Sequence, residues 1–328
     1  MFILGLQGSP RKNGNTDTLL AAFLEKAAAA GAAVHTVQAA RAGVTPCKGC
    51  GYCETHGTCV IKDDPMSTEL FGLLRQADMV VAASPVYFYG VSAQLKVLID
   101  RCQTFWSRKY VYKLKDPLVA TREGVLLSVA ASRGRQLFDG IQLTAKYFFD
   151  AIDARFSHAL TYRGVESKGA IRSQSRLAED IEAIIEKSVR PMVARKKILF
   201  VSRQGGCRAP LAAAMAQQRY GDRIRTAFGG RQPAAVLSVP MVQAMQKIGL
   251  DLGYRTPLAM DQAFYGMSPD LVVTIGTTDT EPPMAGVETV NWPIPNPPGM
   301  EEAQMEGLRL AIGNHVDRLI QWIERPSP

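Results

Sequence analysis

The chain has 328 residues, 47% apolar and 21% charged, which suits two ordinary globular cores and excludes a disordered or fibrous protein. Its net charge is +8 and unevenly spread: residues 1–195 hold 25 Lys+Arg against 18 Asp+Glu, and residues 196–328 hold 13 against 12. The longest apolar runs are too short for a bilayer, and "MFILGLQGSPRK" has no basic segment ahead of its apolar residues, so neither a membrane span nor a signal peptide is expected. A cytoplasmic location follows as an expectation, and it argues against structural disulfides. The N-terminal part is the expected partner for anions such as nucleotide phosphates. Its basic run "SRKYVYKLK" (107–115) reads as a solvated loop or edge strand, and no nucleic-acid motif surrounds it.

In chain order, "FILGL" reads as a buried strand and "NTDTLLAAFLEKAAAAG" as a helix, capped by Asn15 or Thr16 and ended by Gly31. "AVHTVQ" and "DMVVAASP" are strands, "VSAQLKVLIDRCQTF" is a helix, and "EGVLLSVAA" is a strand. A long helix is expected from about Gln136, a strand near 155–163 and a helix near 173–190. Strands alternating with helices imply a parallel sheet covered on both faces, hence an α/β fold. "VRPMVARKK" reads as a linker, placing one domain at 1–190, a linker at 191–196 and a second, smaller α/β domain at 197–328. That second domain opens on the strand "KILFVS". The helices "APLAAAMAQQRYG" and "VPMVQAMQKIGL", the strand "DLVVTIG" and a closing helix at "EEAQMEGLRLAIGNHVDRLIQWI" follow. The halves do not look like copies of each other.

Ligands of an open α/β sheet bind at the carboxyl ends of its strands. The first such loop offers the Ser9 and Thr16 hydroxyls, the Arg11 guanidinium, the Asn15 amide and N–H groups freed by Gly8 and Gly14. With a helix dipole behind them, these suit a phosphate, although the loop is neither a G-x-G-x-x-G nor a Walker sequence. The bland alternative is a glycine-rich turn with a good cap. The loop after the third strand carries Tyr87, Phe88 and Tyr89, which fit a flat heterocycle or simply close a core. Cys102 shares a face with Leu95, Leu98 and Phe105, which marks a buried structural thiol.

Four of the six cysteines fall within thirteen residues, Cys47, Cys50, Cys53 and Cys59, spaced C-x2-C-x2-C-x5-C. Thiolates three residues apart on a tight turn can reach corners of one iron–sulfur cube. Gly49, Gly51 and Gly57 supply the backbone freedom such a turn needs. A zinc site, which normally uses two knuckles a dozen or more residues apart, and a redox-active dithiol are the alternatives. His56 has no partner at ligand spacing and reads as a solvent-facing loop histidine.

"GSPRKNGNT", the cysteine segment ending in "DD", and "ADMVVAASPVYFYGVSAQLKVLIDR" together resemble the NADPH-dependent FMN reductase family, nearest its iron–sulfur flavoprotein branch, over residues 1 to about 190. The resemblance implies a flavodoxin-like fold with Ser9, Arg11, Asn15 and Thr16 on the FMN phosphate. Pro85, Val86, Tyr87, Phe88, Tyr89 and Gly90 would line the isoalloxazine, with Ala130, Ala131 and Ser132 closing the other side. It also implies a [4Fe–4S] cluster on the four cysteines, a homodimer or homotetramer, and electron exchange with NAD(P)H, ferredoxin or a quinone. A cluster-free quinone, azo or nitro reductase and a redox-responsive sensor are the alternative functions.

From about 197 to 325, "ILFVSRQGGCRAPLAAAMAQQRYG", "VPMVQAMQKIGLDL", "SPDLVVTIG" and "NWPIPNPPG" resemble the low-molecular-weight protein tyrosine phosphatase and arsenate reductase family. The chemistry departs from it. The nucleophile position is Ser202, the general-acid position is Asn296, Ala209 follows the loop arginine Arg208, and Thr277 and Thr278 stand after the last strand run with no redox cysteine. A serine beside an arginine is not activated without a base. A non-catalytic domain is expected, with Ser202, Gly205, Gly206, Cys207 and Arg208 as a candidate oxyanion site.

Overall fold

The computed structural model describes residues 1–276, 284–297 and 301–323. They form two compact units, Met1–Lys113 with Thr121–Ala194, and Leu114–Ala120 with Arg195 onward. The strands are β1 (Phe2–Gln7), β2 (Ala33–Gln38), β3 (Met79–Pro85), β4 (Glu123–Ala130) and β5 (Arg155–Arg163) in the first unit. The second holds β6 (Lys196–Ser202), β7 (Ile224–Gly230), β8 (Leu258–Ala259), β9 (Leu271–Ile275) and β10 (Thr289–Trp292). The helices are α1 (Asn15–Ala29), α2 (Tyr52–His56), α3 (Phe71–Gln76), α4 (Ala93–Arg101), α5 (Gln103–Tyr110), α6 (Asp139–Ala151), α7 (Leu177–Ile184) and α8 (Arg190–Val193), then α9 (Arg208–Tyr220), α10 (Val239–Lys247) and α11 (Glu302–Ile323). Among the described residues, no helix is long and apolar enough to cross a membrane.

The first sheet is parallel throughout, in the order β2-β1-β3-β4-β5, the flavodoxin-like arrangement. Its inner strands are buried along their length: all six residues of β1 and all eight of β4. That explains their unbroken apolar runs, since helices cover both faces of a parallel sheet. The outer strands β2 and β5 are more exposed and more polar. Helix α1 buries Thr16, Leu19, Leu20, Phe23, Leu24 and Ala27, the three-and-four spacing of one helix face. Its N-cap is Gly14, in extended conformation, rather than the expected Asn15 or Thr16.

The second sheet is also parallel, in the order β10-β9-β6-β7-β8. Strands β7, β8 and β10 carry no strong apolar run, and sequence patterning missed them. Residues 114–120 belong to this unit. Lys115 N–H donates to Gly249 O at 2.8 Å, Asp251 N–H donates to Lys115 O at 2.8 Å, and Asp116 pairs with Arg255 at 2.9 Å. The chain therefore enters the second unit at Leu114, returns at Thr121 and re-enters at Arg195. The stretch 191–196, expected as a linker, holds most of α8 and the start of β6.

Two further expectations change. "SRKYVYKLK" is not a solvated loop at its start: Ser107 and Arg108 are buried within α5, because they share a face with Thr104 and Phe105. The helix through Cys102 is broken into α4 and α5 at that residue, although its face is as expected, with Leu95, Leu98, Cys102 and Phe105 all buried. Burial pushes the Cys102 thiol up to about 12, so it stays a protonated, inert packing group.

Candidate functional site

Three loops meet the carboxyl edge of the first sheet. The loop after β1 is pinned by Gly8, whose N–H donates to Ala83 O at 2.7 Å. A Cβ on Gly8 would lie 2.8 Å from that oxygen and 2.9 Å from Leu95 Cβ. Gly8 therefore serves close approach of β1, β3 and α4; its N–H is consumed and not left for a phosphate, a correction to the sequence reading. Ser92 locks the same junction, donating to Gly8 O and receiving Leu95 N–H at 3.3 Å as the cap of α4.

Within the loop, Ser9 Oγ receives Arg11 N–H at 3.2 Å and Arg11 extends into solvent. Thr16 is buried in the first turn of α1. The Asn15 amide is already engaged, donating to Ser167 O at 2.8 Å and accepting from Ile171 N at 3.3 Å. Asn15 thus ties the loop after β5 to the loop after β1. The first turn of α1 keeps the N–H groups that no helix can pair internally, beside the Arg11 cation.

Val86 N–H donates to Val129 O at 3.1 Å, which brings Pro85 and Val86 against β4. Tyr87 and Gly90 then close a tight turn with reciprocal bonds of 3.0 and 2.9 Å. Its central residues, Phe88 and Tyr89, sit at φ of 48° and 62°. Bulky residues adopt this conformation rarely and at a cost of about 1–3 kcal/mol each. The turn is braced because Gly140 has no side chain: a Cβ there would stand 2.4 Å from Tyr89 O. The Phe88 side chain is fully exposed and Tyr87 and Tyr89 partly so, which does not fit the expectation of core aromatics. Ala130 is buried, and Ala131 and Ser132 are exposed on the loop after β4, where Ser132 O receives Gly164 N–H at 3.1 Å. Sequence reasoning missed Arg133, whose guanidinium lies where a Cβ of Gly164 would be 2.8 Å away; Gly164, at φ 71°, leaves that room.

The cysteine loop is a separate neighbourhood in the same unit. Gly51 and Gly57 hold left-handed conformations at the two ends of α2, at φ of 68° and 65°, and bend the chain back on either side of Cys53. Cys47, Cys50, Cys53 and Cys59 line one pocket of about 590 Å³, with Arg101, Gln103 and Thr104 on its wall. All six cysteines are free, and among the described residues no three His, Cys, Asp or Glu side chains are close enough to hold a metal ion. His56 is exposed as expected, but on α2, with its ring stacked on Tyr52 at 3.9 Å.

What anchors this loop is an ion pair invisible to motif reading. Arg101, with no side-chain exposure, binds both oxygens of Asp64 and donates to Thr45 O at 2.8 Å and Ser67 Oγ at 3.1 Å. Burial pushes the Asp64 carboxyl up, but the Arg101 hydrogen bond and the Thr45 and Ser67 N–H groups outweigh it and hold it below its ordinary value. Arg101 also hydrogen-bonds Cys59, and its buried Nε has no acceptor.

In the second unit, Ser202 ends β6 buried. Gly205, at φ 63°, packs so closely that a Cβ would lie 2.7 Å from Gly229 C, and Gly206 O receives Ser238 N–H at 2.8 Å. Arg208 is buried and its Nη1 donates to Ile294 O at 2.7 Å. The guanidinium thus braces the β10 loop. Burial raises the Cys207 thiol, against the opposing pull of Arg208 and a Ser238 hydrogen bond. Asn296 is exposed, and Thr277 and Thr278 lie outside the described residues.

The first unit is thus a flavodoxin-like parallel sheet with candidate ligand loops at its carboxyl edge and four thiols lining one pocket, and the second is a further parallel α/β unit. Residues 1–151 match the model of the NADPH-dependent FMN reductase family. The chain is 38% identical to an iron-sulfur flavoprotein of Methanosarcina thermophila over 40% of its own length and 65% of that relative. It is 27% identical to an arsenate reductase of Bacillus cereus over 38% of its length and 93% of that relative. A solved FMN-dependent NADH-azoreductase from Bacillus anthracis, in complex with FMN, aligns over 57% of this chain and 99% of that one at 10% identity, with a TM-score of 0.44. The family model and the two curated relatives, one for each segment, bear out the two-segment resemblance read from the sequence. The chain spans 65% and 51% of the length of two of the iron-sulfur flavoproteins it matches.

Proposed function

We propose that the chain is an FMN-dependent oxidoreductase of the iron–sulfur flavoprotein kind, acting in a reducing, cytoplasmic setting, with a phosphatase-like second unit that does not turn over. The observation that carries the reading is the four-cysteine pocket in the unit whose residues 1–151 match the NADPH-dependent FMN reductase model. Ser9, Arg11 and Thr16, with the first-turn N–H groups of α1, would hold the FMN phosphate, and Asn15 would fix the loop that carries them. The 85–90 turn and residues 130–132 would flank the ring, where the exposed face of Tyr87 or Tyr89 can stack. The four cysteines would hold a [4Fe–4S] cluster. When bound, FMN exchanges a two-electron hydride for single electrons and the cluster carries only the latter. The reading places NAD(P)H or ferredoxin on the donor side and leaves a quinone-like molecule as one acceptor, in a homodimer or homotetramer. The second reading is a cluster-free quinone, azo or nitro reductase using FMN alone, in which the four thiols hold no metal.

An absorbance spectrum of anaerobically purified protein, with flavin, iron and sulfide assays, tests this. Yellow protein with FMN and about four irons per chain is expected. Cys50→Ser should lose iron and keep flavin, because the phosphate loop is a separate stretch. Stoichiometric zinc would sink the cluster reading, and absence of flavin would sink the reductase reading.

A further inference from the structure

At the carboxyl edge of the first sheet, the loops after β4 and β5 are zipped together. Gly164 N–H donates to Ser132 O at 3.1 Å and Val165 N–H to Ala130 O at 2.9 Å. Each loop sends an arginine over the other. The Arg133 guanidinium lies in the space that a side chain on Gly164 would fill, and Arg163 Nη1 reaches Gly134 O at 3.5 Å. Arg163 also lies over the buried ring of Phe138, 5.8 Å from its centroid. The same corner meets the 85–90 turn, because a Cβ on Gly134 would stand 3.4 Å from the Tyr89 hydroxyl.

Both arginines are exposed, and among the described residues neither has a carboxylate partner. Three other exposed arginines of this unit are neutralised: Arg155 by Glu123, Arg176 by Asp180 and Arg190 by Glu186. Arg133 and Arg163 keep nearly all their N–H donors on offer, since the one contact to a carbonyl is long. Holding two like charges on one zipped corner is unfavourable until an anion arrives. A planar guanidinium fork matches a pair of phosphate oxygens. A phosphate monoester, with its second pKa near 6, brings close to two charges for two cations, more than a phosphodiester can.

We propose that Arg133 and Arg163 form a phosphate-monoester subsite that selects a 2′-phosphorylated nicotinamide dinucleotide over its unphosphorylated form. The inference rests on the reductase reading above for the identity of the ligand. In that reading the FMN phosphate is provided for by Arg11 and the first turn of α1. The arginine corner instead continues residues 130–132 beyond the ring platform, where the far end of a dinucleotide laid on that platform would extend. Gly164, at φ 71° and without a Cβ, leaves the room that holds the Arg133 guanidinium there.

Calorimetric titration of the full chain with adenosine 2′,5′-bisphosphate and with adenosine 5′-monophosphate tests this. The native chain should bind the bisphosphate at least about tenfold more tightly, the effect of one charge-assisted hydrogen bond. Arg133→Gln and Arg163→Gln should each remove most of that preference, with flavin content and melting as in the native chain. In turnover, each should lower the ratio of kcat/KM for NADPH to that for NADH about tenfold. Equal affinity of the native chain for the two nucleotides, or a preference that survives both substitutions, overturns the subsite. Flavin lost from either variant with the preference unchanged also overturns it, because the arginines would then be holding the FMN phosphate. A chain without flavin that still prefers the bisphosphate overturns the reductase reading and supports the subsite. A flavin-loaded chain without the preference overturns the subsite alone.

Discussion

Two loops hold the same topological place, one in each unit. The first joins β1 to α1 and the second joins β6 to α9, each leaving an inner strand of a parallel sheet for a helix N-terminus, the position where such folds receive anions. They have been resolved differently. In the first, Arg11 extends into solvent and the loop is shaped by Gly8 packed against Ala83 O. In the second, Arg208 is buried and committed to Ile294 O, Gly205 is clamped against Gly229, Ser202 is buried, and the Cys207 thiol is raised. The comparison teaches that a helix N-terminus and an arginine in sequence do not make a working anion site. The arginine has to have nowhere better to go.

The largest expected effects break one unit and not the other. Each has a buried Arg–Asp pair, Arg101–Asp64 and Arg255–Asp116, and removing one member strands a buried cation at about 3–5 kcal/mol. Asp64→Ala should release the cysteine loop and Asp116→Ala should destabilise the second unit, each read by denaturation and by hydrogen exchange resolved to peptides. Equal loss of protection in both units from either substitution would show that they unfold as one.

The loop arginines should differ in what they cost. One charge-assisted phosphate bond contributes about 1.5–3 kcal/mol, so Arg11→Ala should weaken FMN binding at least roughly tenfold by fluorescence titration with little change in melting. Arg208→Ala should lower the melting of the second unit and leave FMN affinity alone. The reverse pattern would mean that the phosphate site has been assigned to the wrong loop.

A smaller effect follows from pH. The Asp64 carboxyl is held below its unfolded value of about 3.9, so the pair's stabilisation is complete above that pH and is lost as pH falls through the folded value. Order in the cysteine loop, followed by near-ultraviolet circular dichroism, should decline below about pH 4. Asp64→Asn should lack that step.

The smallest expected signal is none at all. The unmodified second unit should not hydrolyse p-nitrophenyl phosphate, because a serine hydroxyl is not usefully ionised by a helix N-terminus and the Asn296 amide has no proton at a useful pKa for a leaving group. Hydrolysis that vanishes on Arg208→Ala would show that the Ile294 contact opens in solution.

Much of this was legible in one dimension because it depends on neighbours in sequence. Helix α1 follows from leucine and phenylalanine spacing, the buried face of Cys102 from Leu95, Leu98 and Phe105, and the left-handed bends around α2 from Gly49, Gly51 and Gly57, all at positive φ. The four thiols were legible as one group, and they do line one pocket. By contrast, Asp64 and Arg101 are 37 residues apart and Cys53 and Ser107 are 54 apart. No local pattern pairs Asp64 with Arg101, or Cys53 with Ser107, until the helices pack. The same is true of Asn15, whose amide looked available and is taken by residues 167–171.

The sequence by itself determined two α/β units and the loops that face their ligand edges, because periodicity, glycine and cysteine spacing act within a few residues of chain. Tertiary structure decided which polar groups are still on offer there. A buried donor binds whatever acceptor the fold brings nearest, since leaving it unpaired costs about 1–3 kcal/mol. Packing alone therefore turned Arg208 into a brace, drew residues 114–120 into the second unit, and set the Ser107 hydroxyl beside the Cys53 sulfur.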